Sequence, residues 1–205
     1  LFQPSFAFAI VIAHLAIELL SKRVTDIASK PVFWGVAVAI MLPACVLVIN
    51  RNRDWESNFT LYTHDVHAVP NSAKAQKGCG EAFLKKAEEM QSEKVKLDLY
   101  RRALPHYEQA IKIHPKFTDA WLDLGTAHYL LGDYEACERA WNSAGEIEPK
   151  NAMLQNHYTI YSAKMLQLAD EAFRANAMDR ALALVQKSIK YNNNNGTAYN
   201  LLANI

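Results

Sequence analysis

Two kinds of apolar patterning divide the chain. Through residue 49, apolar side chains run in two long blocks parted by one polar loop; from residue 73 they recur every third or fourth position among charged ones. The second spacing lines up one face of an amphipathic helix. The first region holds two stretches. Residues 31–49, PVFWGVAVAIMLPACVLVI, carry no charge and approach the roughly 20 apolar residues that a membrane-crossing helix needs. Residues 4–20, PSFAFAIVIAHLAIELL, are shorter and contain His14 and Glu18. Glu18 lies near the end, within reach of the interface. His14 lies deeper and is either a functional group or a hydrogen-bonded packing histidine between helices. A cleaved signal peptide does not fit, because no basic segment precedes Phe6 and a second apolar stretch follows at once. Pro4 and Pro31 open the two spans, where a missing N–H is harmless. Pro43 kinks the second.

Residues 21–30, SKRVTDIASK, set Lys22, Arg23 and Lys30 against Asp26. The positive-inside rule puts this loop in the cytoplasm and everything after residue 49 on the opposite side, with Arg51 and Arg53 pulling the other way. Two Asn-x-Thr sequons, at Asn58 and Asn195, become glycosylation candidates in a lumen.

The helical region is organised around residues 118–151, TDAWLDLGTAHYLLGDYEACERAWNSAGEIEPKN. Trp121-x-x-Leu124-Gly125-x-x-His128, then Cys137-x-x-x-Trp141, Ala144 and Pro149, follow the tetratricopeptide pattern. Small residues (Gly125, Cys137, Ala144) allow two antiparallel helices to cross closely, and large ones (Trp121, Leu124, Trp141) fill the space between. Gly132-Asp133 separates the two helices, and Pro149 stops the second. One such pair cannot bury its own apolar face, so neighbours are required. They are present: Pro115, Ala110, Tyr107 and Ala103 precede Pro149, Ala144, Trp141 and Cys137 by the same 34 residues.

Upstream, residues 55–69 read as the second helix of a half-repeat that ends at Val69-Pro70-Asn71. Residues 73–83 read as a degenerate first helix with Cys79-Gly80 at the Leu-Gly place, and the helix is expected to run on through LKKAEEMQSEKVKLDLYRRAL. The Leu-Gly places are 45 apart here, so 11 residues are extra. Downstream, residues 152–188 hold a lengthened pair whose second helix spans 179–191, with Ala181, Val185 and Ser188 at packing places. Asn192 to Gly196 form a turn, and Tyr199, Leu202 and Ala203 open a further repeat. The expected class is all-α: two transmembrane helices (1–50), a junction (51–72) and a tetratricopeptide solenoid (73–205) that continues past the last residue. Both ends read as cut from a longer chain.

Charge and composition narrow the function. The 205 residues carry 22 basic and 21 acidic side chains, a net +1, against the basic excess that nucleic-acid binding needs. The three cysteines, Cys45, Cys79 and Cys137, form no CxxC pair and read as small buried hydrophobes. His64 and His67 share a helix face with Asp65 between them, but no further ligands complete a metal site. No phosphate-binding loop or nucleophile motif is present, so no residue is assigned as catalytic. Asp119, Leu122, Asp123, Thr126 and Tyr129 are expected on the concave side of the array, the side where repeat proteins hold an extended polypeptide. Asp119 and Asp123 have the wrong sign for gripping an acidic tail.

Two further segments carry a resemblance. Leu1-Phe2-x-Pro4-Ser5-x-x-Phe8 with Ala13-His14 is similar to a Leu-Tyr-x-Pro-Ser motif that opens a late membrane helix. Arg51-Asn52-x-x-Trp55, Leu61-Tyr62 and Val69-Pro70-Asn71-x-Ala73-Lys74 resemble the segment that joins a membrane domain to its repeats. The family so resembled is the transmembrane and tetratricopeptide-containing protein O-mannosyltransferases of the endoplasmic reticulum. The resemblance covers the whole chain, with Phe2 where Tyr is usual and Ala7 where Gly is usual. It implies a type-C glycosyltransferase membrane domain. It also implies transfer of mannose from dolichyl-phosphate-mannose to Ser or Thr of a luminal acceptor polypeptide, and luminal repeats that present that acceptor. The reacting carboxylates would sit in an early luminal loop outside these residues. The alternative is a membrane-anchored scaffold whose repeats recruit a partner without enzymatic activity.

Overall fold

The computed structural model describes residues 57–205 continuously and, before them, scattered helical positions between 31 and 49. The stretch 4–20, the loop 21–30 and the first six residues of the junction, 51–56, lie outside the described residues. The chain divides into two compact units, Leu1–Ser57 and Asn58–Ile205. In the first, described apolar side chains such as Met41 and Ile49 are exposed, and so is Cys45. Among the described residues, no helix is long and apolar enough to cross a membrane.

The second unit is a run of antiparallel helices: α1 (Asn58–Ala68), α2 (Ala73–Glu88), α3 (Glu93–Ile113), α4 (Thr118–Leu130), α5 (Tyr134–Ile147), α6 (Ala152–Arg174), α7 (Met178–Tyr191) and α8 (Gly196–Asn204). Contacts run mainly between successive helices. The all-α repeat architecture expected from the apolar spacing is therefore present. The 34-residue register holds in the core as well. Ala103, Tyr107 and Ala110 on α3, and Cys137, Trp141 and Ala144 on α5, are all at most 1% exposed.

The glycines explain why the register matters. A Cβ on Gly125 would stand 2.3 Å from Cδ1 and Nε1 of Trp141, and one on Gly80 would stand 2.6 Å from the Tyr107 ring. The second helices α3 and α5 thus each press an aromatic ring against the backbone of their first helix, where only hydrogen leaves room; between α6 and α7 two buried serines, Ser162 and Ser188, hydrogen-bond to each other instead. The half-repeat repeats the device: the Tyr62 ring of α1 lies where a Gly78 Cβ would be. Trp141 Nε1 donates to the Leu122 carbonyl at 3.0 Å, which fixes the indole in its slot.

Turn chemistry follows the sequence at most junctions. Gly132 takes φ +78 after α4, and Asn176 takes φ 58 at the matching place after α6; glycine and asparagine are the residues that tolerate this conformation. Asp133 and Asn151 cap α5 and α6, accepting from Ala136 N and Leu154 N at 3.1 Å each. One expectation fails. The helix from Ala73 does not run on: it stops at Glu88, turns through residues 89–92, and restarts at Glu93. The 11 extra residues therefore lengthen both members of a pair. The added turns pack Leu99 and Tyr100 against Phe83 and Ala87.

Trp121 is also less central than its pattern position implies. It is only partly buried, and its Nε1 donates to the Pro115 carbonyl at 2.9 Å.

Candidate functional site

Neighbouring pairs meet chiefly through a second helix against the next first helix, and side chains also reach from first helix to first helix and from second helix to second helix. Between first helices, Lys77 of α2 reaches Asp123 of α4 at 3.2 Å while pairing with Glu81 at 2.6 Å. Between second helices, Glu138 of α5 meets Lys187 at 2.8 Å and Lys190 at 3.2 Å on α7. Glu138 also accepts from Tyr191 Oη at 2.7 Å and from Tyr161 Oη of α6 at 3.1 Å. One carboxylate thereby ties three helices together. Burial alone would raise its pKa, but the hydrogen bonds from Lys187, Tyr191 and Lys190 outweigh that and hold it at about 2.

The residues expected to form a peptide-binding face fall into different environments. Asp119 is exposed. Leu122 is 1% exposed and packs with Trp141, Leu154, Tyr161 and Met165, so it belongs to the core and not to an accessible face. Its position on α4 turns it toward α5 and α6, whose large rings close over it. Thr126 is half-buried and donates to the Leu122 carbonyl at 3.0 Å. Tyr129 stacks against Trp141 at 5.9 Å and meets Tyr134 edge-on. Asp123 is mostly buried against Lys77. Its buried Oδ2 has the Lys77 ammonium, at 3.2 Å, as its polar contact. Burial, outweighing Lys77 and reinforced by Glu81 and Asp119, pushes its carboxyl up to about 6. Lys77 is raised as well: burial opposes its charge, but Glu81 and Asp123 outweigh it.

Asp123 borders a cleft of about 220 Å³. Asn58 and Tyr62 of α1, Glu81, Ala82, Leu84, Lys85 and Glu88 of α2, and Tyr107 of α3 complete its lining. Tyr107 is fully buried, yet its hydroxyl has no hydrogen-bond partner. Burial, with the nearby carboxylates, raises its pKa far beyond the titration range of a free phenol. The phenol therefore stays protonated and able both to donate and to accept. This cleft was not legible in the sequence, because its parts come from four helices and an insertion separates α2 from α4.

The other candidates are placed as follows. Asn58 is exposed at the start of α1. Asn195 is half-buried and caps α8, its Oδ1 accepting from Ala198 N at 3.4 Å. Cys79 and Cys137 are buried and unpaired, as their packing places implied. Cys79 Sγ lies 3.5 Å from His106 Nε2, and His106 Nδ1 lies 2.9 Å from Gln76 Oε1. The order Cys-His-Gln resembles a nucleophile relay, but burial pushes the thiol up to about 11, the opposite of activation. Among the described residues, no group of three or more His, Cys, Asp or Glu is gathered to hold a metal ion.

The geometry defines a class, a helical-repeat protein of stacked antiparallel pairs, and residues 96–157 match the tetratricopeptide repeat family model. The particular relatives are protein O-mannosyltransferases, to which the chain is homologous. Protein O-mannosyl-transferase TMTC3 of Homo sapiens is 24% identical over 191 residues, covering 85% of this chain and 19% of its own length. Protein O-mannosyl-transferase Tmtc3 of Drosophila melanogaster is 25% identical over 151 residues, covering 73% of this chain and 15% of its own. The chain thus spans about a fifth or less of the length of these relatives. A solved tetratricopeptide-repeat protein of Thermus thermophilus aligns over 98% of this chain and 93% of its own, at 16% identity and a TM-score of 0.41.

Proposed function

We propose that the chain joins the membrane domain of a protein O-mannosyltransferase to its luminal repeats, and that the repeats hold the acceptor polypeptide for mannose transfer. The observation that carries this reading is the extent of the likeness. The human relative matches 85% of the chain, more than the repeats from residue 73 make up. Sequence ahead of the repeats is therefore included, where a shared repeat fold alone would contribute nothing.

On this reading, residues 1–50 hold two spans, 4–20 and 31–49, and the loop 21–30 is cytosolic. Residues 51–72 form the junction. Asn58 and Asn195 face the lumen of the endoplasmic reticulum. Dolichyl-phosphate-mannose supplies the sugar, and a Ser or Thr hydroxyl of the acceptor receives it. The chain contributes position, not the reacting carboxylates: an acceptor held in register with the membrane site loses less entropy on reaching the transition state.

Two experiments test this. Deleting residues 73–205 from the full-length parent should reduce transfer to a protein acceptor far more than transfer to a short peptide. Equal retention of both activities counts against the presenting role. In membranes, cysteines placed by Lys30→Cys and Ser72→Cys should label from opposite sides; labelling from one side removes the topology on which the reading depends.

A further inference from the structure

We propose that the cleft over Tyr107 is a recognition pocket for one basic side chain, arginine or lysine, of the polypeptide held by the repeats. This rests on the presenting role proposed above and names what the site reads. The first observation is the orphaned Tyr107 hydroxyl beside the Asp123 carboxylate. The Tyr107 hydroxyl is buried, borders the cleft and has no hydrogen-bond partner, and Asp123 Oδ2 on the same cleft meets only the Lys77 ammonium, at 3.2 Å. Buried polar groups in folded proteins are almost always satisfied, so an orphaned hydroxyl beside an under-coordinated carboxylate marks a place where a partner atom is supplied from outside. Both can accept, and a guanidinium or ammonium only donates.

The second observation is charge. Glu81, Glu88 and Asp123 line the cleft against one ammonium, Lys85. Lys77 is already engaged by Glu81 and Asp123. With Lys77 counted, three carboxylates face two ammonium groups, so an entering cation still meets net negative charge and an acidic side chain would be repelled. The raised carboxyl of Asp123 fits the same picture, since an incoming positive charge offsets the burial, and then the nearby Glu81 and Asp119, that disfavour its charged form. The Tyr62 ring on the wall suits a cation as well.

The third observation is size. About 220 Å³ falls below the roughly 300–1,000 Å³ of small-molecule sites and suits a single long side chain.

The test uses calorimetric titration of the intact chain. The probes are three blocked heptapeptides of glycine and serine with a central arginine, lysine or citrulline. Arginine and lysine peptides should bind at least roughly tenfold more tightly than the citrulline peptide, the scale of one charge-assisted hydrogen bond. Tyr107→Phe keeps the ring over Gly80 and removes only the hydroxyl, so it should fold normally and weaken the arginine peptide. Glu88→Gln, at an exposed rim position, should weaken it by charge alone. Equal affinity for all three peptides, no binding of any, or unchanged arginine affinity in both variants overturns the pocket. None of these outcomes removes the presenting role, which falls only if the deletion of residues 73–205 spares transfer to protein and peptide alike.

Discussion

Glu138 and Asp123 are two half-hidden carboxylates with opposite consequences for the fold. Glu138 is held at about 2, well below its ordinary 4.5. Its stabilisation is therefore fully present above about pH 4.5 and fades as pH falls toward 2. Glu138→Gln should cost about 2 kcal/mol at pH 7, the scale of hydrogen bonds to a charged group. In urea titrations the gap between parent and variant should close across that acid window. Asp123 is raised to about 6 from 3.8, so its ionised form works against folding. Asp123→Asn should stabilise the chain by on the order of 2 kcal/mol at neutral pH. That gain should shrink below about pH 6 and disappear near pH 4; a stability loss at pH 7 would refute it. A destabilising charge kept beside an open cleft is what a binding site looks like when stability and function compete. Gly125→Ala is the steric counterpart. The new methyl would displace the Trp141 indole and break its bond to Leu122, lowering stability by about 1–3 kcal/mol or more in thermal unfolding.

At the scale of elements, the second helices α3 and α5 each present an aromatic to the first helix of their own pair, and the caps set where the pairs begin. Asn151→Ala and Asp133→Ala should each cost about 1 kcal/mol, measured by urea unfolding, because each leaves a helix N-terminal N–H without its acceptor. These features were legible in sequence, since Gly132, Asp133 and Pro149 punctuate the chain and Tyr107 repeats at Trp141. The turn at 89–92 was not. It lies between helix-forming Lys and Glu residues with no Gly or Pro, and Ser92 ahead of Glu93 was its only signal. The same insertion hid the site. Lys77 meets Asp123 across 46 residues, a separation no repeat period announces, and Leu122 looked accessible only because its cover, α5 and α6, had not been placed.

Across the whole repeat unit, stability should be graded along the row, because each pair contacts mainly its neighbours. Helices α1 and α8 bury one residue each, Val66 and Ala198. Helices α3, α4 and α5 bury five apiece, α2 seven and α6 six. Amide hydrogen exchange on the intact chain should accordingly show the slowest protons in α2 to α6 and the fastest in α1 and α8. Uniform protection would mean that the pairs fold as one indivisible block.

The carboxylate shared by α5, α6 and α7 also sets an order of events in time. Its bond to Tyr191 spans 53 residues of sequence, while most other contacts join helices that follow one another directly. Such a link can close only after three helices have already docked, so it belongs to the last step of folding and the first barrier to leaving the native state. Removing it by Glu138→Gln should therefore steepen escape in stopped-flow experiments, with faster unfolding and a nearly unchanged refolding rate.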